Sequence, residues 1–218
     1  MKQERDTVSK RNVIQAAIQL FNTKGYNGTS VRDIANKAGV NVSLISYYFN
    51  GKKGLAEFLM TTFLEGYVNE LEKVHKLLEK KSAKACLVEA LQAIMTYQHQ
   101  NRQLARFVHR EITFDSVLVR EIMTTYLSKE KFYLSKIFEA GFSRKEFRPQ
   151  SIDYIVMQLR GMLSMPFLQP QYILEVHHIK PNETYFIERY TKQLLQWVDL
   201  YICGDLKVVK QKPFVMNG

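Results

Sequence analysis

From Ser9 to Phe21 the apolar residues Val13, Ile14, Ala17, Ile18, Leu20 and Phe21 recur every three or four positions, with polar residues between them. That spacing predicts an amphipathic helix, and Gly25, free to take positive φ, is placed to stop it. Residues 1–10 are polar and predict a frayed start. Ser30-Val31-Arg32-Asp33 has the form of a capping box, with Asp where Glu or Gln is usual. It opens a short helix through Ile34, Ala35 and Ala38 that Gly39 closes. Asn41 is placed to cap a third short helix, from Val42 to about Phe49, and Asn50-Gly51 breaks the chain again. Three short helices with glycine-containing connections are the dimensions of a helix-turn-helix unit.

The remaining text is longer and also helical. Leu55, Phe58, Leu59, Phe63, Tyr67, Leu71, Val74 and Leu78 mark one connecting helix over 55–78, and the charge-rich stretch from Lys73 to Lys84 reads as its solvated end. Further helices are predicted near 84–99, 101–113, 116–140, 151–165 and 184–203. Arg148-Pro149 and the run from Pro166 to Pro170 mark boundaries, because proline lacks a donor and restricts the residue before it. No internal repeat is present, and no alternation is long enough to build a sheet. The expected fold is all-α: a helix-turn-helix domain over 1–54, a helical regulatory and dimerisation domain over 55–206, and a basic tail over 207–218.

Composition agrees. Ten Gly and five Pro in 218 residues are too few for the turns of a sandwich or barrel. Cys86 and Cys203 are far apart and form no disulfide framework or zinc ribbon. No window reaches the ~18 consecutive apolar residues of a membrane span, and the charged start has no apolar core behind it, so the expected location is the cytoplasm. Charge adds more. The 31 Lys and Arg exceed the 21 Asp and Glu, for a net +10. Residues 1–54 alone hold nine basic and three acidic side chains. A quarter of the chain therefore carries over half of the excess. An anionic partner, nucleic acid above all, fits that imbalance, as does a merely solvated basic surface.

Two stretches, Gly25-Tyr26-Asn27-Gly28-Thr29-Ser30-Val31-Arg32-Asp33-Ile34-Ala35 and Ala38-Gly39-Val40-Asn41-Val42-Ser43-Leu44-Ile45-Ser46-Tyr47-Tyr48-Phe49-Asn50-Gly51-Lys52, resemble the N-terminal domain of TetR-type transcriptional regulators. The resemblance implies a DNA-reading three-helix unit followed by a variable helical bundle, and a homodimer on double-stranded DNA. By family position, Val42, Ser43, Leu44 and Ser46 face base edges, and Arg32 reaches a base or phosphate. Tyr47, Tyr48, Lys52 and Lys53 match phosphate-clamping places. Many family members carry Tyr where this chain has Ser46, which shortens that contact. Hydroxyls can bond several base edges, and Val or Leu can meet a thymine methyl. Phe21, Ile34, Ala35, Val40, Ile45 and Phe49 read as plain core, and one of the two tyrosines can face that core instead of DNA. Lys2, Arg5, Lys10 and Arg11 fit either solvent or the adjacent minor groove. Further along, residues 102–108 (RQLARFV) and 165–173 (MPFLQPQYI) are similar to a sporulation-associated member of the family. That member binds chromosomal sites in the nucleoid and acts on the division protein FtsZ.

Catalysis finds no support in the pattern. His75, His99, His109, His177 and His178 form no His-Glu-x-x-His, and no serine sits in Gly-x-Ser-x-Gly. Cys86 reads as a small core residue, and no metal or cofactor is expected. Three tasks remain for the second domain. Ile155, Leu159, Met162 and Leu163 form one apolar stripe, and Phe186, Tyr190, Leu194, Trp197 and Tyr201 another. Either stripe fits a dimer interface, which the family implies, or the core of one chain. A small-molecule effector would need a cavity, with Met95, Phe107, Phe114, Met123, Met157 and Trp197 as candidate lining, though such residues also fit ordinary core. Finally, Arg102, Arg106 and Arg110 recur every four residues with His109 beside them, and Arg120 follows. This basic stripe is either a solvated face or a docking surface for an acidic protein such as FtsZ.

Overall fold

The structure, a computed structural model, describes residues 2–114 and 116–204, with side chains from Asp6 onward. Among them the chain is helical throughout. The elements are α1 (Lys2–Lys24), α2 (Val31–Ala38), α3 (Ser43–Phe49), α4 (Gly51–His75), α5 (Ala83–Gln100), α6 (Arg102–Glu111), α7 (Val117–Ile122), α8 (Ser128–Ser143), α9 (Ile152–Leu168), α10 (Pro170–His177) and α11 (Thr184–Trp197). Met123–Leu127 and Val198–Cys203 wind as π-helix. The expected tail over 207–218 lies outside the described residues.

The first three helices close on Phe21, Ile34 and Ile45, each fully buried, with Ala35 and Phe49 beside them. Gly25, Gly39 and Asn50 all take positive φ (80°, 65° and 57°), which turns the chain sharply enough for α1, α2 and α3 to meet. α4 starts at Gly51 and crosses the expected 54/55 boundary without a break. One apolar core then runs through both parts: α4 packs on α3, α5 and α8, while α6 packs on α1, α4 and α9. Besides α4, α6 is thus the element of the second part that lies against the first.

Several expectations change. α1 is helical from Lys2, not frayed over its first ten residues. Within it, the Lys10 ammonium lies 5.7 and 5.2 Å from the ring centres of Phe49 and Phe58, and Asp6 accepts a hydrogen bond from Tyr48. The single helix expected over 116–140 is two helices joined by a π-helical turn. Pro166 does not end α9, which continues to Leu168. Nothing in the sequence pattern predicts α10. Pro170 at its first position supplies the starting φ, and Ile173 is its one buried side chain, so no apolar stripe announces it.

The stripe Ile155, Leu159 and Leu163 is buried within this chain, and so is Leu194 of the second stripe. Apart from Tyr201, at 38% exposure, the apolar residues most exposed on these elements are others. Tyr154 and Met157 on α9 are 68% and 65% exposed, and Tyr185 of α11 and Leu200 after it are 58% and 72% exposed.

Candidate nucleic-acid interface

α2 sets the base of the site. Ser30 Oγ accepts from Asp33 N at 3.1 Å, and Asp33 Oδ2 accepts from Ser30 N at 2.9 Å. This reciprocal cap satisfies two of the helix's otherwise unpaired N–H groups. The bonds from Ser30, and then Lys24 at 3.2 Å, hold the Asp33 carboxyl down at about 2. With Asp33 turned into the cap, neighbouring Arg32 stands exposed.

α3 is held by its two buried residues, Ile45 and Phe49. Asn41 Oδ1 accepts from both the backbone N–H and the hydroxyl of Ser43, at 2.9 and 2.8 Å, and so fixes the start of the helix. The anchored face leaves Val42, Ser43, Ser46 and Tyr47 outward, with Leu44 half-buried. Tyr47 is 77% exposed. Tyr48 instead packs against the core, with its hydroxyl donating to Asp6 Oδ1 at 3.2 Å. Of the two tyrosines, Tyr48 is the inward one.

The two lysines at the start of α4 part company. Lys53 is exposed. Lys52 Nζ donates to the main-chain oxygens of Tyr26 (3.0 Å) and Thr29 (2.9 Å) and lies 4.4 Å from the centre of the Tyr26 ring. Two of its three donors are thus committed to the α1–α2 connection. Lys52 thus ties α4 to that loop, in addition to the phosphate-clamping place that the resemblance implies. Asn41, which the sequence places as a cap, stands exposed at the head of α3 beside these residues.

The basic stripe on α6 also divides. Arg102 is exposed, and Arg106 is half-buried, donating to Gln171 Oε1 at 2.8 Å. His109 is buried at 7% exposure and is not a surface residue. Its Nε2–H donates to Gln98 Oε1 at 2.5 Å, while Gln98 Nε2 donates to Leu163 O at 3.0 Å. Burial first, and then the charge of Arg160, push its pKa down to about 3, so the ring is neutral. Arg110 turns toward α1 and donates to the main-chain oxygen of Phe21. Arg120 is exposed on α7. A straight row at four-residue spacing drifts around a helix packed on both sides, which is why its members meet different surroundings.

The candidate effector lining converges only in part. Met95 and Phe107 are fully buried, whereas Phe114, Met123 and Met157 are exposed. Phe107 and Phe114 do line a cleft of about 590 Å³, between the α1–α2 connection (Tyr26, Gly28) and α6–α7 (Glu111, Leu118).

The model for bacterial regulatory proteins of the tetR family matches residues 13–59, which span α1 to the start of α4. The probable HTH-type transcriptional regulator YttP of Bacillus subtilis (strain 168) is 45% identical over 199 residues, covering 91% of this chain and 96% of that protein. A bacterial regulatory protein in the tetR family from Rhodococcus RHA1 shares the fold at a TM-score of 0.73 and 19% identity, over 90% of this chain and 98% of that one. The TetR family transcriptional regulator PfmR from Thermus thermophilus does so at 0.72 and 19% identity, over 85% and 96%. With a helix-turn-helix unit in place and a relative matched over nearly its full length, this chain belongs to the tetR family of bacterial regulatory proteins, which are transcriptional regulators and not enzymes.

Proposed function

We propose that this chain binds double-stranded DNA as a homodimer, reading a near-palindromic site with α3 in the major groove. The observation that carries it is the outward face of α3, where Val42, Ser43, Ser46 and Tyr47 stand free of the core between exposed Arg32 and Lys53. Short hydroxyl and apolar groups read base edges, and the cations hold phosphates. The exposed apolar residues Tyr154, Met157, Tyr185 and Leu200 support the dimer. Two recognition helices fit successive major grooves when their centres lie ~34–36 Å apart or a multiple of it. Footprinting together with light scattering tests both parts. A monomer that protects one half-site refutes the dimer.

The finer role is that of RefZ, the sporulation-associated regulator of FtsZ, in the cytoplasm on the nucleoid. Its support is the likeness of residues 102–108 and 165–173, with Arg102 and Arg120 on the surface. Capture of purified FtsZ by the wild-type protein tests it. The other reading, a repressor released by a small molecule, draws on the cleft beside the α1–α2 connection. Mapping the bound chromosomal sites separates them, because a repressor clusters at its own or neighbouring promoters.

A further inference from the structure

The geometry points to the groove between the start of α6 and the α10–α11 connection as a docking site for an extended acidic segment of a protein partner that inserts one apolar side chain. The groove has a volume of about 430 Å³, with Arg102, Arg106 and Lys180 among its lining and Phe167 and Leu174 as its apolar surface. Lys180 pairs with Glu183 at 3.4 Å, which leaves the balance positive. Among the described residues no carboxylate pairs with Arg102 or Arg106. Arg106 is half-buried, and burial together with the neighbouring charge of Arg110 lowers its pKa, so an incoming anion would relieve a standing repulsion.

The apolar surface decides the class of anion. A phosphate group has no use for Phe167 or Leu174, whereas an apolar side chain between carboxylates uses both parts of the groove. Guanidinium forks also suit planar carboxylates. α10 adds a second observation: it buries only Ile173 and shows Tyr172, Leu174 and Val176 to solvent at 43%, 43% and 58%. A helix that contributes so little to its own core is an outward-facing element. This inference deepens the partner half of the proposed function: it rests on the chain having a protein partner, not on that partner being FtsZ.

The test uses the full chain and a fluorescein-labelled peptide with one leucine flanked by glutamates, beside its glutamine-for-glutamate twin. At physiological salt the glutamate peptide should bind about tenfold tighter than the twin. Arg102→Glu and Leu174→Asp should each weaken it by about tenfold, with melting and operator binding unchanged. No preference for the glutamate peptide, or equal binding by both variants, overturns the proposal. Loss of operator binding in Arg102→Glu assigns the cations to nucleic acid and overturns it too. Capture of FtsZ, run in parallel, keeps the two readings apart. Peptide binding without FtsZ capture removes FtsZ and upholds the groove, whereas FtsZ capture indifferent to both substitutions, with no preference for the glutamate peptide, upholds the division role and overturns the groove.

Discussion

The side-chain amide of Asn22 donates to the main-chain oxygen of Gln103 at 2.7 Å, tying the end of α1 to the start of α6. Phe21 and Phe107 stack beside this bond at 5.0 Å, and Arg110 donates to the Phe21 carbonyl. Three contacts of different kinds thus join the DNA-reading unit to the bundle along one helix pair. Asn22 Oδ1 is buried without a partner, so the amide is only half satisfied. The two obvious replacements should therefore rank. Asn22→Leu loses the bonds to the main-chain and side-chain oxygens of Gln103 but also removes the orphaned acceptor. Asn22→Asp turns an acceptor on the Gln103 carbonyl and should cost more, about 1–3 kcal/mol or above. Urea midpoints check the order, and an aspartate variant as stable as the leucine variant would refute the tie.

Lys52 and Lys53 should give different phenotypes. Lys52→Ala removes the tether to Tyr26 and Thr29, and so should lower the melting temperature and weaken DNA binding together. Lys53→Ala should leave melting unchanged. It should weaken binding to all sequences alike and reduce the slope of log K against log salt by about 0.9, the signature of one lost phosphate contact. Equal melting losses in both variants would deny the division of labour.

Ser43 and Ser46 should govern preference rather than strength. Ser43→Ala and Ser46→Ala should change affinity for single base-pair variants of the operator by about 1–3 kcal/mol, while non-specific binding stays put. Competition with a panel of substituted duplexes measures this. Uniform weakening across the panel would return both hydroxyls to phosphate or cap duty, a role Ser43 already has through Asn41.

The part of the molecule most readable from sequence is the part built from local rules. The cap of Ser30 and Asp33, the turns at Gly25 and Gly39 and the buried places of Ile34, Ile45 and Phe49 all follow from spacing within a few residues. What spacing cannot supply is the neighbour across the fold. Lys52 has the charge and position of a phosphate clamp, and only the approach of the α1–α2 connection turns it inward. His109 lies on the same helix as Arg102, yet the packing of α9 over α6 buries one and leaves the other in water. α10 escapes a reading by periodicity because its apolar residues face outward and its one anchor, Ile173, makes no pattern.

His109 gives the stability a pH dependence whose sign can be worked out. Its pKa falls from the ordinary 6.5 to about 3 in the folded chain, chiefly by burial and further by Arg160. Between those values the unfolded chain binds a proton that the folded chain refuses. Acid therefore favours unfolding: the contribution is whole above pH 6.5 and is lost progressively as pH falls toward 3. The slope from one such group approaches ~1.4 kcal/mol per pH unit. His109→Gln keeps an amide donor for Gln98 but cannot titrate. It should start less stable, because the ring also packs against Phe63 and Phe167 with centres 5.9 and 6.5 Å away. Its stability should nevertheless fall less steeply between pH 7 and pH 5 than that of the wild type, by about one proton's worth of slope near the acid end. Asp33, held near 2, loses its share only as pH falls below its ordinary 3.8 and does not enter this window. Parallel urea titrations of both proteins at several pH values give the comparison. Identical slopes would mean that His109 takes up its proton while folded, and that burial does not hold it neutral.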